Sequence, residues 1–266
     1  MNANYPPLNT LISLNGKRAM ITGSGAGIGS AMAYRFAEAG ANLELVDINE
    51  QALRVLKENL GTFNVEINAY KADLSNKKDI DTLWEKLSGK EPDILVNNAG
   101  IYPTKPFLEV DESFLRKTMS LNLESVFWMC QQMIKRRLKK GGVIINVGSI
   151  EAVMPFKEEL CHYDISKAGV MVLTRALAHE YGKNGFRINA LVPGGIWTQG
   201  TKSLAKDIIR FKVGVAKSGV EYRLRNPLGR LGLPDEVARM AVVLASDLSS
   251  YVHGTLIVVD GGFLSA

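Results

Sequence analysis

A chain of 266 residues, 46% hydrophobic and 22% charged, has the composition of an ordinary soluble globular protein with ample material for a large core. Its net charge of +5 comes from 32 basic and 27 acidic residues scattered along the chain, with no nucleic-acid-binding motif beside them. Two cysteines (Cys130, Cys161) and three histidines (His162, His179, His253) offer neither a disulfide framework nor metal-ligand spacing, and no apolar run approaches the length of a membrane span. These features argue for a cytoplasmic location and against a metal, a membrane or a nucleic acid as partner.

Residues 1–13 are polar around Pro6-Pro7 and read as a loose extension ahead of one domain over 14–266. From there apolar runs alternate with amphipathic ones. Strands are predicted at Arg18–Thr22, Leu43–Val46, Val65–Tyr70, Ile94–Val96, Val143–Val147, Arg187–Leu191 and Leu256–Val259. Helices are predicted at Gln51–Leu60, Ile80–Leu87, Phe114–Leu138, Ser166–Tyr181 and Pro234–Ala245, with a further helical run from Ser30 to Ala39. The basic run Lys135-Arg136-Arg137-Leu138-Lys139-Lys140 falls at the end of one of these, where cations suit the helix dipole, so it reads as a solvated terminus. Strands that are continuous Val/Ile/Leu runs are buried on both faces, so helices must cover both sides of a parallel sheet. The fold class is a doubly wound α/β sheet of about seven strands in a single domain. Ligands of such sheets lie beyond the carboxyl ends of the strands, and the residues just after each strand carry the interest.

The first strand ends in Thr22-Gly23-Ser24-Gly25-Ala26-Gly27-Ile28-Gly29, and a helix follows at once. The common G-x-G-x-x-G spacing is absent, but the order of strand, glycine turn and helix is that of a nucleotide-binding unit. Glycine lets the backbone turn sharply and lets a pyrophosphate reach the free amides at the helix N-terminus. Asp47 follows the second strand, eighteen positions past Gly29, with no basic residue directly after it. A carboxylate there accepts both ribose hydroxyls of an adenosine and repels a 2′-phosphate, which favours NAD over NADP; taken alone it reads as a helix cap. Asp73, after the third strand, is either a turn cap or a partner of the adenine amino group. After the fourth strand, Asn97-Asn98-Ala99-Gly100 offers asparagines to tie strand ends and small residues that permit close approach.

Tyr163 and Lys167 stand four apart where a helix is predicted to start, a spacing that projects both from one face. A free phenol has a pKa of about 10, and a neighbouring ammonium lowers it, which would make Tyr163 a general acid/base. Ser149 follows the fifth strand; its hydroxyl is placed to stabilise a reacting oxygen, and Gly148-Ser149-Ile150 lacks the elbow of a nucleophilic serine. Asn122 is polar within an apolar helical run, where asparagine is unfavourable without a specific partner. Glu151, two residues past Ser149, would suit the hydroxyls of a polyhydroxylated ligand, and Trp197 would stack on a sugar face or simply pack. His162 reads as a packing or surface residue rather than a second base.

These residues, Thr22-Gly23-x-x-x-Gly27-Ile28-Gly29, Asp73, Asn97-Asn98-Ala99-Gly100, Asn122, Ser149, Tyr163-x-x-x-Lys167, Pro193-Gly194 and Asp260-Gly261-Gly262, resemble in order the short-chain dehydrogenase/reductase family, across Leu14 to Phe263. The resemblance implies a Rossmann fold and hydride transfer between nicotinamide and a secondary alcohol or carbonyl. It implies catalytic roles for Asn122, Ser149, Tyr163 and Lys167, with Asn122 in a proton relay through water to the lysine. It implies cofactor contacts at Gly23, Ser24, Gly25, Gly27, Ile28, Gly29, Asp47, Ile48, Asp73, Leu74, Asn98, Ala99, Gly100, Tyr163, Lys167, Pro193, Gly194, Ile196 and Thr198. In that scheme Ile196 and Thr198 hold the nicotinamide carboxamide, and the stretch near 199–226 covers the substrate. Substrate contacts fall on Ser149, Glu151, Tyr163 and Trp197, and the metal set is empty.

The reading that best fits is oxidation of a sugar or polyol with NAD, with NADP possible. A 3-oxoacyl-thioester reductase stands second, weakened by Asp47 because reductive biosynthesis draws on NADPH. A cofactor-binding regulator without turnover should have lost catalytic residues that are all present here. The helix from Ser166 is apolar on more than one face, through Ala168, Val170, Met171, Val172, Leu173, Ala176, Leu177 and Ala178, which implies a partner subunit. By the resemblance, the assembly is a homotetramer.

Overall fold

The computed structural model describes residues 5–198, 222 and 224–266. Seven strands build one sheet: β1 (Arg18–Thr22), β2 (Asn42–Asp47), β3 (Ile67–Lys71), β4 (Ile94–Asn97), β5 (Gly142–Val147), β6 (Phe186–Pro193) and β7 (Leu256–Val259). They lie in the order β3-β2-β1-β4-β5-β6-β7, and every neighbouring pair is parallel. The order reverses between β1 and β4, so the crevice of a doubly wound sheet opens at their carboxyl ends.

Successive side chains of the central strands feed opposite layers, as a period of two requires. Ile21, Leu45, Val96 and Ile145 pack with helices α2 (Gly27–Glu38), α3 (Glu50–Asn59) and α8 (Pro234–Ala245), whose Phe36, Leu53 and Val237 are buried there. Met20, Val46, Leu95 and Ile144 face the other way, onto α4 (Lys77–Lys86), α6 (Ser125–Arg137) and α7 (Cys161–Tyr181), through Trp84, Met129 and Val170. Both faces are thus covered, as continuous apolar strands demand. A buried polar seam crosses the second layer: Asn97 Nδ2 donates to Asn146 Oδ1 (2.8 Å), and Asn146 Nδ2 donates to Thr174 Oγ1 of α7 (2.9 Å). Cys130 lies against the same seam, where burial pushes its thiol pKa up to about 12 and leaves it an inert packing residue.

Four expectations change. Residues 8–12 of the expected loose extension form a short helix, α1 (Leu8–Ile12), none of whose residues is buried. The helix expected over 114–138 is three pieces: α5 (Glu112–Met119), a π-helical turn at Ser120–Glu124, and α6. A wide turn of this kind costs regular hydrogen bonding and commonly marks a functional position; it holds Asn122, which is fully buried. The helix expected from Ser166 begins at Cys161, so Tyr163 and Lys167 both lie within its first two turns. β7 is an edge strand, half covered rather than buried on both faces, with Val258 44% exposed. The predicted covering stretch near 199–226 lies outside the described residues except at 222 and 224–226.

Candidate active site

The turn after β1 is shaped by contacts that side chains would prevent. Gly23 has φ +63°, and a Cβ there would fall 2.8 Å from the Ala99 Cα; at Gly29 it would fall 2.1 Å from the Gly23 carbonyl oxygen. Gly27, which opens α2, has φ +57°. Asn98 ties this turn to β4, its Nδ2 donating to the carbonyls of Thr22 (2.9 Å) and Gly23 (3.1 Å). Thr22 Oγ1 accepts the amides of Asn98 and Ala99, each at 3.0 Å. The result is a cleft of about 320 Å³ lined by Gly23, Ala26, Gly27, Ile28, Asp47, Asn98, Ala99, Gly100 and Thr198. At its floor is the N-terminus of α2, where unpaired amides and the helix dipole favour a phosphate.

Asp47 closes one end. Its Oδ2 accepts the Gly25 amide (2.9 Å) and its Oδ1 accepts the Asn49 amide (2.8 Å). The cap of α3 is Asn49, which accepts the Ala52 amide, so the capping alternative for Asp47 falls away. The two amides hold the carboxylate at the rim with lone pairs to spare for hydroxyl donors. The outer predicted contacts divide. Ile48 is exposed beside Asp47, whereas Ser24 and Leu74 turn inward: Ser24 Oγ donates to the Val46 carbonyl, and Leu74 packs in the core. The Asp73 carboxylate accepts both the amide and hydroxyl of Ser75, while Asn76 caps α4. Asp73 Oδ1 therefore serves the local turn while its Oδ2 is left for another donor, whereas Ser24 and Leu74 offer a cofactor mainly their main-chain atoms.

At the other end, beyond β5 and over α7, the chemistry-bearing side chains converge. Tyr163 is half-buried, and desolvation pushes its phenol up to about 12, opposed by a hydrogen bond with Ser149. Lys167 Nζ lies 5.9 Å from the Tyr163 ring centre and donates to the Val147 carbonyl at the end of β5 (2.9 Å); burial lowers its ammonium to about 8. The expectation that a neighbouring ammonium lowers the phenol pKa is not met: in this arrangement desolvation dominates at both groups. Asn122, on the π turn, is held by the Ile101 main chain, accepting its amide at 2.8 Å and donating to its carbonyl at 2.9 Å, and also donates to Ser166 Oγ. A Cβ on Gly100 would sit 3.2 Å from Asn122 Oδ1 and 3.5 Å from Lys167 Nζ, so a small space between strand and helix is flanked by both.

Glu151 departs from expectation. It is 2% exposed, its Oε2 accepts the Phe156 amide (3.2 Å) and its Oε1 accepts the Tyr102 hydroxyl (3.3 Å). Burial pushes its pKa up to about 6. Its carboxylate is committed to shaping the loop before α7, so it is not the open sugar ligand expected. The surface over the site is instead Tyr102, whose ring meets Tyr163 edge to face at 4.6 Å. Tyr102 escaped sequence reasoning although it stands two residues past the Gly100 that ends the Asn-Asn-Ala-Gly run. His162 is buried, its Nε2 on the Pro103 carbonyl and its ring against Phe114, a packing role as expected.

Pro193 ends β6, paired with Val259, and the following turn carries Gly194, Ile196, Trp197 and Thr198 to the same edge. Ile196 bridges Gly232, Trp197 donates its amide to the Gly232 carbonyl, and its side chain is 43% exposed. Tyr222, also missed from sequence, accepts the Gly195 amide (2.7 Å) and pins this turn. Among the described residues no cluster of side chains could hold a metal, and no helix is long and apolar enough to cross a membrane.

A glycine turn and helix N-terminus at a sheet's switch point, a carboxylate at the rim of the cleft and a tyrosine–lysine–serine group beyond the next strands are the arrangement of a dinucleotide-dependent oxidoreductase. Comparison with known proteins agrees. A family model described as enoyl-(acyl carrier protein) reductase matches residues 23–264. The chain is 38% identical over 264 residues to 2-dehydro-3-deoxy-D-gluconate 5-dehydrogenase of Dickeya dadantii, covering 97% of this chain and 99% of that one. It is 35% identical over 254 residues to a 3-oxoacyl-(acyl-carrier-protein) reductase of Chlamydia pneumoniae, covering 94% and 98%. Among solved structures, L-sorbose reductase of Gluconobacter frateurii, complexed with NADPH and L-sorbose, superposes with a TM-score of 0.89 at 30% identity, over 96% of this chain and 99% of that one. The chain belongs to the short-chain dehydrogenase/reductase family, and it is an oxidoreductase that acts on CH–OH groups with NAD(P).

Proposed function

We propose that this enzyme interconverts a secondary alcohol and a ketone of a sugar or polyol, with NAD as the preferred cofactor and Tyr163 as the acid/base. The observation that carries the reaction is the convergence of Tyr163 with Ser149 and Lys167 at the end of β5. When bound, the nicotinamide supplies the hydride or accepts it and, in its oxidised form, brings a positive charge. Tyr163 gives its hydroxyl proton to a forming alkoxide, or takes one from the alcohol in the reverse direction. Ser149 donates a hydrogen bond to the same oxygen and stabilises charge that develops there. Lys167, fixed on the Val147 carbonyl, sets the electrostatics below the phenol. The gap at Gly100 suits a water joining Asn122 Oδ1 to Lys167 Nζ, through which the proton lost by Tyr163 is replaced.

The preference for NAD rests on Asp47, whose fixed carboxylate favours two ribose hydroxyls over a phosphate. The sugar or polyol assignment is supported by relatives named for 2-dehydro-3-deoxy-D-gluconate, D-threitol and galactitol. Reduction of a 3-oxoacyl thioester is the second reading, favoured by the Chlamydia relative and by the description of the family model. Ile165 and Val172, exposed on α7 at 54% and 64%, support a homo-oligomer, read here as a tetramer, burying this face. That part is checked by light scattering. Two free thiols, one of them buried, fit a reducing cytoplasm.

The reaction is tested by following NADH and NADPH at equilibrium and in initial rate across aldoses, polyols, sugar acids and 3-hydroxyacyl thioesters. Turnover of a sugar or polyol with NAD is expected. Turnover confined to acyl thioesters, or to NADP, replaces this reading with the second.

A further inference from the structure

The loop from Glu151 to Leu160 leads into the catalytic helix and is held in shape at both ends. Glu151 Oε2 accepts the Phe156 amide, and the Glu159 carbonyl accepts the Lys105 amide at 3.1 Å. Among the described residues, Glu159 is the only non-glycine with positive φ, at 65°. A glutamate in the left-handed region is costly, and such conformations persist where the surroundings impose them. The loop is therefore a defined piece of the site, and between its two fixed points it presents Lys157.

Lys157 Nζ lies 4.9 Å from the centre of the Tyr102 ring, the same ring that meets Tyr163 at 4.6 Å. The side chain is half-buried, and no carboxylate among the described residues lies within ion-pair distance of it. Glu151, the nearest carboxyl on its own loop, is occupied by Tyr102 and the Phe156 amide. Burial depresses the Lys157 ammonium, opposed by the charges of Glu151 and Glu159. Recognition of hydroxyls does not call for such a group. A partly desolvated ammonium with no ion-pair partner among the described residues, one ring away from the acid/base, calls for an anion.

We propose that Lys157 forms an anion subsite of this active site, and that the preferred substrates are polyols bearing a carboxylate, which Lys157 binds while the reacting carbon faces Tyr163. The proposal rests on the sugar or polyol reading above and narrows it to sugar acids.

The test compares D-gluconate with D-glucitol, which share carbons 2 to 6 and differ by a carboxylate against a hydroxymethyl group. The ratio of kcat/KM for the two is measured for the wild type, Lys157→Gln and Lys157→Arg. NADH binding and Tm are recorded to confirm that each variant is folded. The wild type should favour gluconate, and added salt should reduce that preference. Lys157→Gln should lower the gluconate-to-glucitol ratio by about ten-fold or more, chiefly through KM, as loss of a charge-assisted bond predicts. Lys157→Arg should restore most of it. A ratio unmoved by Lys157→Gln in a folded variant, or a wild type that favours glucitol, overturns the anion subsite while leaving the polyol reading intact. A wild type that oxidises neither compound, and reduces neither corresponding ketone, overturns both.

Discussion

Replacing Asp47 with asparagine keeps the side chain's shape and removes its charge, the element proposed to choose the cofactor, while its Oδ1 can still accept one of the two amides. The carboxylate is fixed by the Gly25 and Asn49 amides at 2.9 and 2.8 Å, so its remaining lone pairs point out from the rim of the cleft. A 2′-phosphate brought there carries about −1.5 to −2 charges, and a unit pair some 5 Å apart at an effective dielectric near 20 repels by about 3 kcal/mol. Solvent at this half-exposed rim reduces that figure, and the lost charge-assisted bonds to ribose act in the same direction on the ratio. A net change of about 2–3 kcal/mol follows, or a roughly 30- to 150-fold fall in the preference for NAD over NADP. The assay is initial-rate kinetics with both cofactors on one substrate, reporting the ratio of kcat/KM. Asp47→Ala should shift the ratio similarly but also loosen the glycine turn, raising KM for both cofactors, because both amides lose their acceptor. A ratio that moves less than about threefold in Asp47→Asn refutes the reasoning, since no charge effect of this size could then reach the ribose.

Tyr163→Phe should lower turnover by about 10²–10⁴-fold while NADH still binds in a fluorescence titration, as loss of a general acid/base predicts; residual activity near the wild-type level rejects Tyr163 in that role. Gly29→Ala places a Cβ 2.1 Å from the Gly23 carbonyl oxygen and 2.6 Å from Asn98 Nδ2. Overpacking of about 1–3 kcal/mol should appear as a lower Tm together with weakened NADH binding, and an unchanged Tm would show that the turn can give way. Glu151 is a carboxyl whose pKa is raised by burial to about 6 in the folded chain. Its favourable contribution is complete below the unfolded value and is lost as pH rises through about 6. Glu151→Gln lacks that slope, so denaturant titrations should show its stability gaining on the wild type between pH 4.5 and 6 and levelling off above; a parallel pair of pH profiles contradicts the raised pKa.

The layered α/β architecture was legible because strand burial on both faces writes itself as unbroken runs, as in Met20-Ile21 or Val143–Val147, whose neighbours feed opposite layers. The glycine turn was legible too, since only residues without a Cβ can occupy positions such as Gly23 and Gly29, where the turn meets β4 and itself. Tyr163 and Lys167 could be paired because four residues on a helix is a local distance. Contacts between segments far apart in the chain were not legible. Asn122 faced its partner only once a π turn interrupted a run that reads as one helix, and periodicity does not announce an extra residue in a turn. Glu151 looked like an exposed ligand because burial is a property of the assembled loop, which wraps the carboxylate with Tyr102 and Phe156. Lys157 was invisible for the same reason. A lysine in a polar loop is ordinarily solvated, and only the packing of Tyr102 between two distant segments brings its ammonium to the ring that meets Tyr163. Local backbone chemistry thus determined the fold class and the cofactor cradle, while tertiary packing, through desolvation and contacts across long sequence separations, decided how each charge in the substrate pocket is used.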